Sequence, residues 1–351
     1  MAIHNLTDQE ILILQQIGIT VVDPERKYWF VRTDGGAYFD DFYFGNYVGI
    51  QWNDIPVHKD STPESLDDAV QDALPDESRH RYIANQIYRF AFQFKKGDIV
   101  LIPSEGSKYI AFGEILEDDM YIEMPLEELT IDSFFADPEE APRLVYQKRR
   151  KVRWLKTTPR EDLDPYLQTF IYAHNTIVDL NSYALFIDRS LSDFYVKGDL
   201  CYFSFKVNRK ENIPYSKMLH LLMTNQKIVE YMNSYMTSCT SKCGQLSLDE
   251  FSIKINVQSK GPVQLIGPLK KLLVFGLVSI TLLGGKVSLS LSEQSFEFET
   301  EGILPVLQEV HSWLETPPEP ESPESNAKEE IEAALEETTR DLELTAPALE
   351  D

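Results

Sequence analysis

Apolar residues along the chain change their spacing several times, and each change marks an element. Thr7-Asp8-Gln9-Glu10 is a capping-box pattern ahead of an apolar run over 11–17, which predicts a short helix ending near Gly18. Residues 28–33 (YWFVRT) and 47–52 (YVGIQW) read as strands, with a turn at Asp34-Gly35-Gly36 between them. The polar, acidic stretch 58–80 predicts a loop with part of a helix. Beyond it Ile83, Ile87, Phe90, Ala91 and Phe94 recur at helical spacing. Residues 99–103 and 109–116 read as paired strands around Ser104-Glu105-Gly106, and 151–155 completes the set. Short strands separated by turn residues are the pattern of a small barrel.

The second half is patterned differently. Residues 202–207 are strand-like, and Met218, Leu222, Ile228, Val229 and Met232 give 215–236 a helical period. A polar break follows at 237–244. Residues 251–257 alternate as a strand does, Gly261-Pro262 turns the chain, and 272–283 is strongly apolar. Residues 287–291 and 296–299 read as a hairpin and 302–314 as a helix. Beyond Glu315 the chain is rich in Pro and Glu, which predicts disorder, with 328–344 able to form a transient acidic helix. The expected fold class is α+β: a small pseudo-barrel with flanking helices, a second small α+β domain and a disordered acidic tail. The expected divisions are a helical lead-in at 1–27, a recognition domain at 28–195, a connector at 196–250, a C-terminal domain at 251–314 and the tail at 315–351.

Charge narrows the functional classes. The net charge is -24, and residues 315–351 hold thirteen carboxylates against two bases, so nearly half of it sits in the tail. Adhesion to nucleic acid through the whole surface is excluded, because it needs a broad field of Lys and Arg. One basic cluster stands out: Arg143, Lys148, Arg149, Arg150, Lys151, Arg153, Lys156 and Arg160. Strand alternation puts Arg149, Lys151 and Arg153 on one face and Arg150, Val152 and Trp154 on the other. Lys148, Arg149, Lys151 and Arg153 are the candidate phosphate contacts; the competing reading is a solvated face that balances nearby acids. Trp29, Tyr38, Trp52, Tyr109 and Trp154 could stack on a base or could be barrel core.

Little else in the chain points to catalysis. The sequence has no nucleophile-elbow, Walker or dinucleotide-binding motif, so no catalytic residue and no cofactor is expected. Cys239 and Cys243 offer two metal ligands where structural zinc takes four, so no metal is expected. Three cysteines fit a reducing compartment, and the first residues carry no secretory signal, so a cytoplasmic protein is expected. The apolar run over 272–283 is shorter than the roughly twenty residues that span a bilayer. It is either buried core or, with 263–285, a segment for membrane contact or self-assembly.

The pieces Phe30-Val31-Arg32, Tyr47-Val48-Gly49-Ile50-Gln51-Trp52-Asn53, Lys96-Gly97-Asp98-Ile99-Val100-Leu101-Ile102-Pro103, Phe112-Gly113-Glu114-Ile115 and Arg149-Arg150-Lys151-Val152-Arg153-Trp154-Leu155 occur in a specific order. Together, over roughly 28–190, they resemble the N-terminal module of Mrr-type restriction system proteins, in the EVE/PUA-like barrel group. The resemblance implies a pseudo-barrel that reads a base, often a modified one, in a cleft walled by aromatics. It implies that Arg32 faces the ligand or a phosphate, that Trp52 and Asn53 line the pocket, and that Arg153 and Trp154 close it. With Tyr38 and Tyr109 these make the candidate ligand set Arg32, Tyr38, Trp52, Asn53, Tyr109 and Trp154. Gln51 stands where a glycine is usual, which would narrow the cleft, and no nuclease motif follows residue 190.

Three functional readings result. The first is a non-catalytic reader of a nucleic-acid base or nucleotide in a bacterial restriction or antiviral defence system, passing occupancy to an effector partner or to self-association. The second is a nucleotide-sensing membrane or self-assembling effector acting through 272–283. The third, ranked last, is a nuclease subunit with its catalytic site after residue 195.

Overall fold

The structure is a computed structural model that describes residues 6–123, 146–255, 260–287 and 302–349. In chain order its helices and strands begin with α1 (Asp8–Gln16), β1 (Thr20–Val22), β2 (Tyr28–Val31), α2 (Phe39–Gly45), β3 (Tyr47–Ile50), α3 (Pro63–Ala73) and α4 (His80–Tyr88). Then come β4 (Ile99–Pro103), β5 (Tyr109–Ile115), β6 (Tyr121–Ile122), β7 (Lys148–Pro159), β8 (Ile177–Asp179), α5 (Ala184–Leu191), β9 (Phe194–Lys197) and β10 (Leu200–Val207). The chain finishes with α6 (Tyr215–Tyr235), α7 (Thr237–Cys243), β11 (Ser252–Ile255), β12 (Gly261–Pro268), α8 (Leu269–Leu282), α9 (Leu304–Glu315), α10 (Pro323–Leu342) and β13 (Leu344–Thr345). The fold is mixed α and β. It divides into two units, Arg26–Leu191 and a second that joins Met1–Glu25 to Ser192–Asp351.

Residues 26–191 are built on a curled half-barrel sheet in the order β3-β7-β5-β4-β2-β8, with β6 also on β7. β2 and β4 are parallel, and the other pairs are antiparallel. β7 is long enough to change partners. Its first residues pair with β3 and β6, and Val152 onward pairs with β5 past an irregularity between Phe112 and Gly113. Both faces of the sheet are covered, so β2 and β4 are buried along their whole length instead of alternating with solvent. Trp29 and Val31 enter one core with Phe42, Val48, Phe90, Phe94 and Val152. Tyr28 and Phe30 enter a second core on the opposite face with Leu101, Phe112, Leu167 and Phe170. The stretch over 58–80, expected as a loop with part of a helix, contains α3, which starts from a Thr62/Ser65 capping box with Pro63 in its first turn.

The other unit has a sheet in the order β1-β9-β10-β12-β11, with β13 also on β10. Residues expected as lead-in, connector and C-terminal domain come together here around one core. The capping box expected at the N-terminus is present, since Thr7 and Glu10 cap each other across α1. Glu10 has a second role: its buried carboxylate also accepts the Ile303 backbone N–H, which ties α1 to the entrance of α9. Gly261-Pro262, expected as a turn, opens β12 instead. Apart from Val287, the hairpin expected over 287–299 lies outside the described residues.

The apolar run is α8, packed on β10 and β12 with Leu272, Leu273, Val274, Phe275, Leu277 and Val278 buried. Gly276 lets the helix lie against Phe194 and Phe203; a Cβ there would come within 2.6 Å of the Phe194 ring. Among the described residues, no helix is long and apolar enough to cross a membrane.

The disordered acidic tail expected over 315–351 is corrected by α10. Ser322 caps that helix by accepting the Ser325 N–H, and Pro323 takes its first position. Ile331, Ala334, Leu335, Thr338 and Leu342 form a buried stripe, and β13 then adds to β10 through Val207↔Leu344. The stripe is short of strongly apolar residues, so the carboxylates on the opposite face dominated the composition and hid it. If α10 belongs to the core, Leu335→Ala should lower the unfolding free energy by about 2–5 kcal/mol in urea titration. A change near zero would return this segment to the status of a tail.

Candidate ligand-binding site

β7 decides where the basic cluster goes. Lys148, Arg150 and Val152 point inward, and Arg149, Lys151 and Arg153 point outward, the alternation expected for the outward three. A cation placed inward needs acceptors for its donors, because an unsatisfied buried charge is costly. Arg150 is fully buried. It donates to four carbonyls: Phe90 at 2.6 Å, Ala91 at 2.7 Å, Asp118 at 3.0 Å and Glu117 at 3.2 Å. Burial lowers its pKa to about 10, against the pull of Asp119, Asp98 and Asp118.

Lys148, expected among the phosphate contacts, is 1% exposed and sits on this inward row. Its Nζ donates to the carbonyls of Trp52 at 2.6 Å and Asn53 at 3.0 Å. Burial takes its pKa from 10.5 down to about 8, opposed by Asp54.

The outward cations also have partners within the fold. The Arg149 guanidinium lies 4.0 Å from the Tyr47 ring centre and donates to the Tyr146 carbonyl at 2.7 Å. Lys151 pairs with Glu117 at 2.9 Å, Arg153 with Glu114 at 2.5 Å, and Lys156 donates to the Ser190 carbonyl at 2.6 Å. Lys151 and Arg153 remain open to solvent. Arg143 lies outside the described residues.

The candidate ligand residues fall into separate neighbourhoods. Trp52 and Asn53 stand at the end of β3. Trp52 has a left-handed backbone, φ 66°, which is uncommon for a bulky side chain. Its indole is half-buried against the barrel core. Asn53 accepts the Gln147 N–H at 3.1 Å, and the Gln51 amide reaches the Tyr146 hydroxyl at 3.4 Å. Tyr38 meets the same Tyr146 ring edge-on at 4.8 Å, so Tyr38, Trp52 and Asn53 gather around Tyr146 and Lys148. Burial pushes the Tyr146 hydroxyl up to about 12. Arg32 lies elsewhere, donating to the His174 carbonyl at 3.2 Å.

Trp154 and Tyr109 belong to a different place. Trp154 stacks on Tyr43 at 5.5 Å, and Tyr43 stacks on Phe39 at 5.6 Å, so α2 carries an aromatic row away from β7. Phe39 then lines a cleft of about 510 Å³ together with Asp34, Asp40, Glu105, Lys108 and Tyr109. The floor exists because two turns are pressed together. Gly36, at φ 104°, lies so close to the 104–105 backbone that a Cβ would approach Glu105 to 2.2 Å. Thr33 locks the same approach by donating to the Pro103 carbonyl at 2.6 Å. A second cleft of about 620 Å³ also uses Lys108 and Tyr109, with Arg160, Glu161 and Gln168. Arg160 lies 5.3 Å from the Tyr172 ring centre and donates to the Tyr172 hydroxyl.

Sequence reasoning found Tyr109 and placed Arg160 within the basic cluster, though not among the candidate phosphate contacts; it missed Phe39 and Lys108. The available signal was the pair of glycine turns at 34–36 and 105–107, which a tight rim requires. Among the described residues no group of three or more His, Cys, Asp or Glu is placed to hold a metal ion.

A family model described as a domain of unknown function (DUF8426) matches residues 29–181, which lie within the half-barrel unit. No curated protein matches the chain, and no solved structure matches it.

Lys148 gives the site a pH signature. Its folded pKa, about 8, lies below the ordinary 10.5, so between those values the unfolded chain binds more protons there. The Lys148 contribution to stability therefore rises with pH across that window and is flat below it. Urea unfolding of the wild type against Lys148→Met should show a difference that moves in favour of the wild type from pH 8 to 10. A difference that stays constant would mean the ammonium is solvated.

Proposed function

We propose that residues 26–191 bind one nucleotide unit of a nucleic acid, or a free nucleotide, across the two clefts that meet at Tyr109. The observation that carries this reading is the shared ridge: Lys108 and Tyr109 line both clefts, one bearing the carboxylates of Asp34, Asp40 and Glu105 and the other bearing Arg160 beside Glu161. A planar base fits the first cleft, where Tyr109 and Phe39 supply ring faces and Asp34, Asp40 and Glu105 accept from exocyclic amines. A phosphate fits the second, within reach of the Lys108 and Arg160 donors. Clefts of this size suit a single small ligand.

The internal partners of the β7 cations support a compact ligand over a long duplex track. Lys148 and Arg150 are buried, the exposed Lys151 and Arg153 are paired with carboxylates, and the second cleft offers Lys108 and Arg160, so affinity should depend only weakly on salt, with a log–log slope of about -1 to -2. The resemblance to restriction-system modules supports base reading as the role and a defence system as the setting, with the rest of the chain coupling occupancy to a partner. The membrane-effector alternative would need the apolar side chains of 272–283 outside the core in which α8 buries them.

The test is fluorescence anisotropy of the full chain with a short single-stranded oligonucleotide, with and without modified cytosines, across a salt series. Tyr109→Ala and Phe39→Ala should each weaken binding by about 1–3 kcal/mol, roughly 5- to 150-fold. Arg160→Gln should reduce the salt slope by about one. Loss at Trp52→Ala with Tyr109→Ala unchanged would move the site to the loop after β3. The absence of binding at low salt would reject the reading.

A further inference from the structure

Cys239 and Cys243 are the one sequence motif left without a role once metal is set aside. They sit at i and i+4 on α7, on the same side of the helix, and the Cys243 sulfur also lies 3.4 Å from the Gly244 carbonyl, to which its thiol can donate. Their surroundings differ. Cys239 is in the core, against α9 and its Glu309. Cys243 is half-exposed at the last position of α7, beside exposed Lys242 and Gly244.

The first turn of α8 brings Lys270 and Lys271 toward Cys243. The Lys271 Nζ is fixed nearby by the Gln245 carbonyl at 2.8 Å and the Glu250 carboxylate at 2.7 Å. The neighbouring Cys239 thiol and these two lysines lower the Cys243 pKa, while the Cys243 sulfur, burial and Glu309 raise that of Cys239. Two lysines beside a half-buried cysteine at a helix end favour its ionised, reactive form.

We infer that Cys243 is a peroxide-reactive cysteine and that Cys239 resolves its oxidised form into a Cys239–Cys243 disulfide. The ionised Cys243 sulfur attacks one oxygen of hydrogen peroxide; an S–O bond forms, the O–O bond breaks, and the leaving hydroxide becomes water with the proton that Cys243 released. The Cys239 sulfur then attacks the Cys243 sulfur. An S–S bond forms, the S–O bond breaks, and the hydroxyl departs as water with the Cys239 proton. Two thiols lose two electrons, and peroxide gains both and ends as two waters.

The bond requires local movement. Residues at i and i+4 keep their Cβ atoms about 5–6 Å apart, whereas a disulfide brings them to about 3.8 Å. The end of α7 can supply this, because Cys243 is its last residue and Gly244 follows at φ 83°. A disulfide that strains its helix is easily reduced, which suits a reversible modification in a reducing compartment. Cys201 is fully buried on β10 and its pKa is raised by burial, so it should stay reduced.

The test is mass spectrometry of the full chain after brief exposure to hydrogen peroxide, with maleimide labelling under denaturing conditions. The expected result is a loss of about 2 Da, protection of Cys239 and Cys243 from maleimide, and recovery of both by dithiothreitol. Cys201→Ser should leave this unchanged. Cys239→Ser should abolish the mass loss and leave a sulfenic acid on Cys243 that dimedone traps. A disulfide that includes Cys201 would overturn the inference. So would a dimedone adduct on Cys243 in the unmutated chain without a disulfide, or no reaction at Cys243 in either chain.

Discussion

The half-barrel unit depends on how β7 disposes of its cations. A strand that must face a core every second residue, and that carries Lys148 and Arg150 at those positions, can fold only if carbonyls meet the buried donors. Arg150 meets this requirement by gathering the carbonyls of Phe90 and Ala91 after α4 and those of Glu117 and Asp118 after β5. Lys148 does the same for the loop after β3. Three segments distant in sequence are thus pinned to one strand. Removing one buried partner would leave an uncompensated charge or open acceptors, which costs more than the net worth of the bonds.

That arrangement has a functional consequence. The basic cluster is the most conspicuous charge feature of an acidic chain, and its two buried members, Lys148 and Arg150, hold the fold together. Lys151 and Arg153 are exposed but paired with Glu117 and Glu114, and the proposed ligand site lies at the far end of β7, where Arg160 follows the strand and Lys108 precedes β5. Trp154, on β7 itself, connects this end to α2 by stacking on Tyr43. The result is a surface with aromatic faces and mixed charge, which suits recognition of one planar group better than a charged rail for a duplex.

Much of this fold was legible in the sequence. The Thr7/Glu10 capping box, the strands β2, β3, β4 and β5, the helix α6 and the outward alternation of Arg149, Lys151 and Arg153 follow from local pattern alone. The rest was hidden for identifiable reasons. α10 carries its apolar stripe under a dense acidic face, so composition outweighed period. α1 joins its unit by burying Ile13 and Leu14 in a core built mainly from residues after 192, and through the hydrogen bond from Ile303 to Glu10; both are long-range pairings with no local signature. The inward role of Lys148 needs the strand to begin at residue 148, three residues before the apolar alternation makes it visible. The clefts at Tyr109 depend on two glycine turns meeting, and sequence shows only that each is a turn.

In the proposed complex a base sits against Tyr109 and Phe39. Photocrosslinking tests it most directly: an oligonucleotide carrying a 5-iodopyrimidine is irradiated with the full chain, and the adduct is mapped by peptide mass spectrometry. The account predicts an adduct on Tyr109 or Phe39, suppressed by an excess of unlabelled oligonucleotide. An adduct on Trp52, or one confined to residues 192–349, would contradict it.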